Sequence, residues 1–169
     1  MAFLNPSRVL NELDLKESFV AADFGSGSGG WVIPLAKKLK MGKVYAVEIL
    51  DEALSAMKSK LKLENISNVE AVKSNIENTT RILSNSCDLV LMTNLLFEID
   101  DKKNTLEEGK RVLKNGGKLV IVDWKKDASM GPEERVSLDD IKKIAEEVDF
   151  KTEKELDAGL YHWGLLLVK

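Results

Sequence analysis

Asp23-Phe24-Gly25-Ser26-Gly27-Ser28-Gly29-Gly30 constrains this chain more tightly than any other segment. The apolar run Phe19-Val20-Ala21-Ala22 leads into it, and Trp31-Val32-Ile33-Pro34-Leu35-Ala36 leads out. The order is strand, glycine-rich turn, helix, an arrangement that presents bare backbone N–H groups to a small ligand. Glycine takes positive φ without steric cost, and it has no Cβ to hold a ligand off. Pro34 lacks an N–H and fits only a first helical turn, so the helix is expected to begin near Gly30 or Trp31. The loop then abuts a helix N-terminus, whose partial positive charge suits a carboxylate or other anion.

Two ligand classes fit this run. Gly25, Gly27 and Gly30 spell the G-x-G-x-x-G of a dinucleotide site, whereas Asp23 with Gly25, Gly27 and Gly29 spells acidic-x-G-x-G-x-G. A carboxylate two positions before the first glycine would repel a pyrophosphate. It suits a ligand bearing an ammonium or sulfonium group, and S-adenosylmethionine carries both. Asp23 can also serve the loop alone, by accepting local N–H bonds.

The rest of the chain narrows the architecture. With 169 residues it reads as a single domain, 1–169, able to bury a sizeable core. A net charge of −3 excludes a broad electrostatic footprint for nucleic acid. The only cysteine, Cys87, rules out an internal disulfide and favours a reducing compartment; opening the run Cys87–Met92, it reads as a core residue. No apolar run approaches the ~20 residues of a membrane-spanning helix. Met1-Ala2-Phe3-Leu4-Asn5-Pro6 lacks a basic-then-apolar leader pattern, so a cytoplasmic location is expected.

Strand-like runs alternate with helical patterns, which predicts an α/β fold with a mainly parallel sheet. A lead-in helix (within 1–17) runs from Pro6 to about Asp14, with Asn5 as N-cap. Strands are expected at 19–24, 43–49, 69–73, 88–92 and 118–123. Helices follow to about Lys40, from Asp51 as cap with Leu54, Met57 and Leu61 inward, around 80–83, and from about Asp101 to Leu113. Asn115-Gly116-Gly117 is expected to end the last of these with a left-handed cap. Residues 124–137 form the longest connection, and a helix resumes from Ser137 to about Val148. Residues 150–156 and 160–168 lie too close for a parallel crossover, so they form an antiparallel hairpin. Residues 18–123 are thus a ligand-binding core and 124–169 a substrate-side loop, helix and hairpin.

The chain resembles the class I S-adenosylmethionine-dependent methyltransferases, specifically the small type 11 and quinone-biosynthesis group. The resemblance rests on Asp23–Gly29, Val44-Tyr45-Ala46-Val47-Glu48, Ser74-Asn75-Ile76-Glu77, Asp88–Asn94 and Leu113–Leu119, five motifs in the right order and spacing. It implies a Rossmann-like three-layer sandwich with a seven-stranded, mostly parallel sheet whose last strand is antiparallel. It also implies S-adenosylmethionine as cofactor and S-adenosylhomocysteine as product, with Asp23, Gly25, Ser26, Gly27 and Gly29 in the cofactor loop. Glu48, with Ile49 beside it, would accept from both ribose hydroxyls. Asn75 and Ile76 would meet adenine, Asn75 bonding the exocyclic amine through its side-chain oxygen where many relatives have aspartate. Asn94 would sit beside the methionine moiety, although a loop asparagine capping the next turn fits that position equally.

Methyl transfer from a sulfonium is an in-line displacement, so a protein contributes alignment and a dry pocket. Neither a metal nor a covalent nucleophile is required, and a base is needed only if the acceptor must lose a proton. Topology places Trp124, Tyr161 and His162 on the ligand edge, as the substrate side. His162 and Asp123 are the candidate catalytic residues; the alternative for His162 is a structural role in the hairpin. Trp31 could wall the cofactor site or pack between helices. The substrate site is expected to be shallow or completed by Phe3-Leu4-Asn5-Pro6 or a partner. A small-molecule acceptor is expected, without nucleic acid or membrane insertion. Competing readings are a nicotinamide-dependent oxidoreductase, which Asp23 and the terminal hairpin oppose, and a non-catalytic S-adenosylmethionine-binding subunit.

Overall fold

The computed structural model describes residues 4–169, so Phe3 of the lead-in segment lies outside the described residues. The elements are α1 (Pro6–Asn11), β1 (Val20–Phe24), α2 (Val32–Lys38), β2 (Lys43–Glu48), α3 (Asp51–Leu63), β3 (Val69–Lys73), β4 (Cys87–Thr93), α4 (Lys102–Val112), β5 (Leu113–Trp124), α5 (Leu138–Glu147), β6 (Lys151–Leu156) and β7 (His162–Val168). A short 3₁₀ turn at Leu96–Glu98 precedes α4. Seven strands form one sheet in the order β3-β2-β1-β4-β5-β7-β6. β7 runs antiparallel to both β5 and β6, while the other neighbours pair in parallel. The expected seven-stranded α/β architecture is therefore present.

Central strands of a sheet covered on both faces must be apolar on both sides. β1 and β4 meet that demand with Ala21, Ala22, Phe24, Val90, Leu91 and Met92, all buried. One core lies between the sheet and α1–α3, joining Leu10, Leu35, Leu54 and Met57 to Ala21, Leu91 and Val122. The other lies against α4 and α5, joining Leu106, Ile141 and Ala145 to Phe24, Met92 and Ile121. Helices on both faces complete the three layers. The first turn of α1 is fixed as expected: the Asn5 side chain accepts from the amides of Ser7 and Arg8, with Pro6 opening the helix.

Three local expectations are overturned. Asp51 is the first residue of α3 rather than its cap; Leu50 occupies the cap position, and its amide donates to Glu48 Oε1 at 3.0 Å. Residues 80–83 are not helical, because distant side chains take their backbone groups. Glu108 Oε1 accepts from the amide and hydroxyl of Thr80, and Arg111 donates to the carbonyls of Thr80 and Ile82. Finally, α4 ends in extended backbone at Leu113, not at a left-handed glycine cap. The β4–β5 register jumps from Cys87–Leu113 to Leu89–Lys118, so Lys114–Gly117 bulges from the ladder. Gly116, at φ +76°, donates its N–H to the Lys169 carbonyl, while the Lys169 N–H donates to Gly117. The glycines serve an edge contact with the last strand. Cys87 is buried, as expected of a core residue, and burial pushes its thiol up to about 11.

Glu108 ties α4 to the segment after β3. Burial works against its charge, but hydrogen bonds from Arg111 and Thr80 outweigh this and hold its carboxyl below the ordinary range. Replacing it with alanine removes the charge partner of the Arg111 guanidinium and the acceptor of the Thr80 N–H together. Glu108→Ala is expected to cost about 3 kcal/mol in a urea titration; a loss below about 1 kcal/mol would show that the tie is dispensable.

Candidate active site

β1 and β2 end side by side, and the loop after β1 is hung from β2. The amides of Gly25 and Ser26 both donate to the Val47 carbonyl, at 2.9 and 3.0 Å. Gly27 donates its amide to Glu48 Oε2 at 2.9 Å. The other oxygen of Glu48 accepts from the amides of Ile49 and Leu50, at 2.8 and 3.0 Å. A carboxylate is an acceptor only, so three backbone donors fix its plane while lone pairs remain for hydroxyl donors of a ligand.

The three expected loop glycines all have positive φ: +72° at Gly25, +51° at Gly27 and +91° at Gly29. Their roles diverge beyond the turn. A Cβ on Gly25 would lie 2.6 Å from Leu95 Cδ1, and one on Gly29 would lie 2.9 Å from Met57 Cγ. At Gly27 nothing stands within 4 Å. Only at Gly27, of these three, does a missing Cβ leave space open for a ligand. Trp31 belongs to the core on the α1–α3 side. It packs between layers and does not wall the cleft.

A cleft of about 490 Å³ opens at the carboxyl ends of β1–β4, the edge where open α/β sheets take ligands. It brings together Gly25, Gly27, Glu48, Ile49, Asn75, Ile76 and Asn94, with Leu50, Leu95 and Ile99 as apolar wall. Asp23, Ser26 and Gly29 are not on its lining. Asn75 Oδ1 accepts from the Glu77 amide at 2.9 Å, so the oxygen expected to meet an exocyclic amine already has a donor. The Asn75 amide N–H₂ is the group with no such engagement. Asn94 is left-handed, at φ +50°, and donates its N–H to the Val122 carbonyl. Its side-chain oxygen is buried without a partner, which does not fit the turn-capping alternative.

Other buried polar atoms also lack a hydrogen-bond partner: Asp23 Oδ1, Ser26 Oγ and both ring nitrogens of His162. The Asp23 carboxyl is 1% exposed, and burial, with the Glu48 carboxylate as a second cause, pushes it up to about 8. It accepts no loop N–H, so the purely structural reading of Asp23 fails. Buried polar groups are normally satisfied, and such exceptions cluster at functional sites. A buried carboxylate beside a second one suits a cationic partner. Asp23 and Glu48, the open space at Gly27 and the bare oxygen of Asn94 thus fit a ligand with a positive group at one end and hydroxyls at the other.

The substrate-side candidates separate. In β5 successive side chains alternate between faces. Trp124 pairs with His162 across the β5–β7 ladder, and their rings lie 4.1 Å apart between centroids, tilted by 41°. Strand alternation puts both on the α1–α3 face with Asp23, Trp124 two strands and His162 three strands across the sheet from it. Burial, with the nearby Lys125 charge, holds the His162 imidazole below its ordinary range and therefore neutral near pH 7. Asp123 points to the other face. Its oxygens accept from the amides of Leu96 (2.9 Å) and Trp124 (2.8 Å). Burial raises its pKa against the pull of backbone hydrogen bonds from Trp124, Leu96, Leu95 and Phe97. Asp123 caps the 3₁₀ turn, and that corrects its candidacy as a catalytic group. Tyr161 is half-buried in the hairpin turn, its carbonyl accepting from the Lys125 amide at 2.9 Å.

Comparison with known proteins agrees with this geometry. A family model described as "Methyltransferase domain" matches residues 22–121, well over half of the chain. The chain belongs to that family, and its fold and motifs are those of the class I S-adenosylmethionine-dependent methyltransferases. Among solved structures it is similar to a SAM-dependent methyltransferase from Aquifex aeolicus, with 32% identity and a TM-score of 0.91 over 98% of this chain and 90% of that one. It is 33% identical over 116 residues to a protein of Methanocaldococcus jannaschii named as a probable cobalt-precorrin-6B C(15)-methyltransferase (decarboxylating). That match covers 66% of this chain and 62% of the relative. It is 31% identical over 117 residues to the demethylmenaquinone methyltransferase of Staphylococcus saprophyticus, covering 69% of this chain and 49% of that protein. The chain thus spans about half to three-fifths of the length of these curated relatives. No described helix is long and apolar enough to cross a membrane.

The buried acid has a signature in solution. In the unfolded chain Asp23 ionises near 3.8, in the folded chain near 8. Between those values the native state holds a proton that the unfolded state has released, so this residue's contribution to stability falls as pH rises and levels off above about 8. Asp23→Asn has no such dependence. Its thermal midpoint advantage over the parent is expected to grow from pH 6 to 8 and then stay level. A difference independent of pH would contradict the buried, protonated carboxyl.

Proposed function

We propose that the chain transfers a methyl group from S-adenosylmethionine to a small-molecule acceptor, with residues 1–169 acting as one domain. The observation that carries this reading is the loop hung on Glu48, with its carboxylate oriented by three amides and the unpartnered Asp23 Oδ1 beneath. Bound at this cleft, S-adenosylmethionine would supply a methyl group on a sulfonium as the electrophile. Glu48 accepts the ribose hydroxyls, with Ile49 covering the sugar. Ile76 and the Asn75 amide receive the adenine. Gly25, Ser26, Gly27, Gly29 and Asn94 surround the methionine end, where a cationic group would draw the proton off Asp23 and pair with the carboxylate left behind.

Displacement at a methyl carbon requires the attacking atom, carbon and leaving sulfur to be in line, so the acceptor must approach from the side away from the ribose and loop. Trp124, Tyr161 and His162 stand on that side of the same sheet edge. The neutral His162 ring hydrogen-bonds an acceptor hydroxyl or amine and takes its proton if one must leave. Asp123 holds the turn after β4 and has no proton-transfer role. The curated relatives named for precorrin and demethylmenaquinone methylation support a small acceptor, and their names supply the first compounds to try. The net charge of −3, with no described helix able to span a membrane, supports the same reading, and the single buried cysteine supports a cytoplasmic setting.

The test of the activity is a labelled-methyl screen against metabolite and macromolecule pools: label should enter the small-molecule fraction, and label in protein or nucleic acid alone would overturn the proposal. Two variants test the site. Glu48→Ala is expected to weaken S-adenosylhomocysteine binding by about 1–3 kcal/mol in calorimetry, the cost of unpaired ribose hydroxyls; unchanged affinity would refute the ribose assignment. Gly27→Ala places a methyl group where the protein itself leaves space. It is expected to keep the parental fold and lose S-adenosylhomocysteine affinity by about tenfold or more. Normal binding would show that the glycine serves only the turn.

A further inference from the structure

Five carbonyls of the connection after β5 meet one side chain. Arg135 Nε donates to the Pro132 carbonyl at 2.8 Å. Nη1 reaches the carbonyls of Lys125, Lys126 and Ala128 at 3.2, 3.0 and 2.7 Å, and Nη2 reaches that of Met130 at 3.2 Å. Five carbonyls of one loop thus converge on one planar guanidinium, the only side chain with five donors in a fixed fork. The loop is also closed at its base. The Trp163 indole N–H is shared between the carbonyls of Trp124 (3.1 Å) and Val136 (3.2 Å), the residues at its two ends. Lys125 stitches it to the β6–β7 turn through the Tyr161 and Gly159 carbonyls.

The clamp has a direction. Met130 and Pro132, whose carbonyls accept from Arg135, flank Gly131, which sits at φ +112° with its backbone against the Trp124 indole. A Cβ there would lie 2.5 Å from Trp124 Cε3. The other neighbour of that indole is the His162 ring, 4.1 Å away between centroids, with neither nitrogen partnered. Contact therefore passes from Arg135 through the carbonyls on either side of Gly131, to Trp124 and on to His162.

We propose that Arg135 is a positioning residue for the methyl acceptor: by gathering the 125–132 carbonyls it presses Gly131 onto Trp124 and so fixes Trp124 and His162 in the attitude in which they meet the acceptor. This rests on the reading above that these two rings face the acceptor. Arg135 contributes nothing to the cofactor cleft, which lies at β1–β4.

The test uses the chain saturated with S-adenosylhomocysteine for structure, and methyl-labelled S-adenosylmethionine with a deproteinised metabolite extract for transfer. Arg135→Lys and Arg135→Gln should leave S-adenosylhomocysteine affinity unchanged. They should speed tryptic cleavage after Lys125 or Lys126 roughly tenfold, move the His162 ring titration up toward 6.5, and cut label transfer by about a hundredfold. Lysine should not rescue, because its ammonium cannot span five carbonyls. Gly131→Ala should reproduce the His162 shift and the transfer loss with Arg135 in place. Parental His162 titration in Arg135→Gln and Gly131→Ala, or parental transfer despite a loosened loop, would overturn the proposal. In the parent itself the Arg135 guanidinium protons should exchange far more slowly than those of exposed Arg81; equal exchange would overturn it without any variant. A parent that moves no label would defeat the activity reading alone, since exchange and His162 titration still decide the clamp.

Discussion

Glu48 is the constraint on which the site depends. Its carboxylate gathers the amides of Gly27, Ile49 and Leu50, three donors from two chain segments. The Val47 carbonyl beside it takes two more, from Gly25 and Ser26. The glycine loop is therefore not shaped by its own residues alone; it is suspended from the end of β2. Positive φ at three glycines makes the path possible, and the β2 end makes it unique. The same carboxylate sets the start of α3 by occupying the Leu50 amide, which joins the cofactor edge to the helix covering it.

The arrangement carries a cost in stability. Asp23 sits one strand away, buried and with its Oδ1 unpartnered, and the negative charge of Glu48 adds to the penalty of its burial. A chain selected for stability alone would place an apolar residue there, as it does at Ala21 and Ala22. Asn94, held in the left-handed region with an orphaned oxygen, repeats the pattern just after β4. These are places where stability and a binding role would pull apart, and a bound cationic ligand would relieve both.

Much of the fold was legible from periodicity and punctuation. β3 falls on the expected residues, β1, β2 and β4 within one residue at either end, and the terminal hairpin followed from a connection too short for a crossover. What periodicity could not show were long-range competitors for backbone groups. Residues 80–83 look helical locally, but Glu108 and Arg111 claim them from α4. Asn115-Gly116-Gly117 looks like a helix cap, but Lys169 pairs there from the other end of the chain. Within the site, seven of the ten cofactor candidates line one cleft because their motifs all end parallel strands. Asp123 was misplaced by one step of strand alternation: it shares an edge with Trp124 but not a face. Arg135 escaped notice because a lone arginine in an aperiodic loop has no pattern, and only the nearby Gly131-Pro132 hinted at a turn needing support.

The account stands on one claim: the cleft at the ends of β1–β4 is built for S-adenosylmethionine and its product. Calorimetric titration of the unmodified chain with S-adenosylhomocysteine, followed by the same titration with NADH, tests it most directly. The account predicts saturable one-to-one binding of S-adenosylhomocysteine, a raised thermal midpoint in the bound form, and no heat from NADH. Binding of NADH in competition with S-adenosylhomocysteine, or no binding of S-adenosylhomocysteine at all, would contradict it.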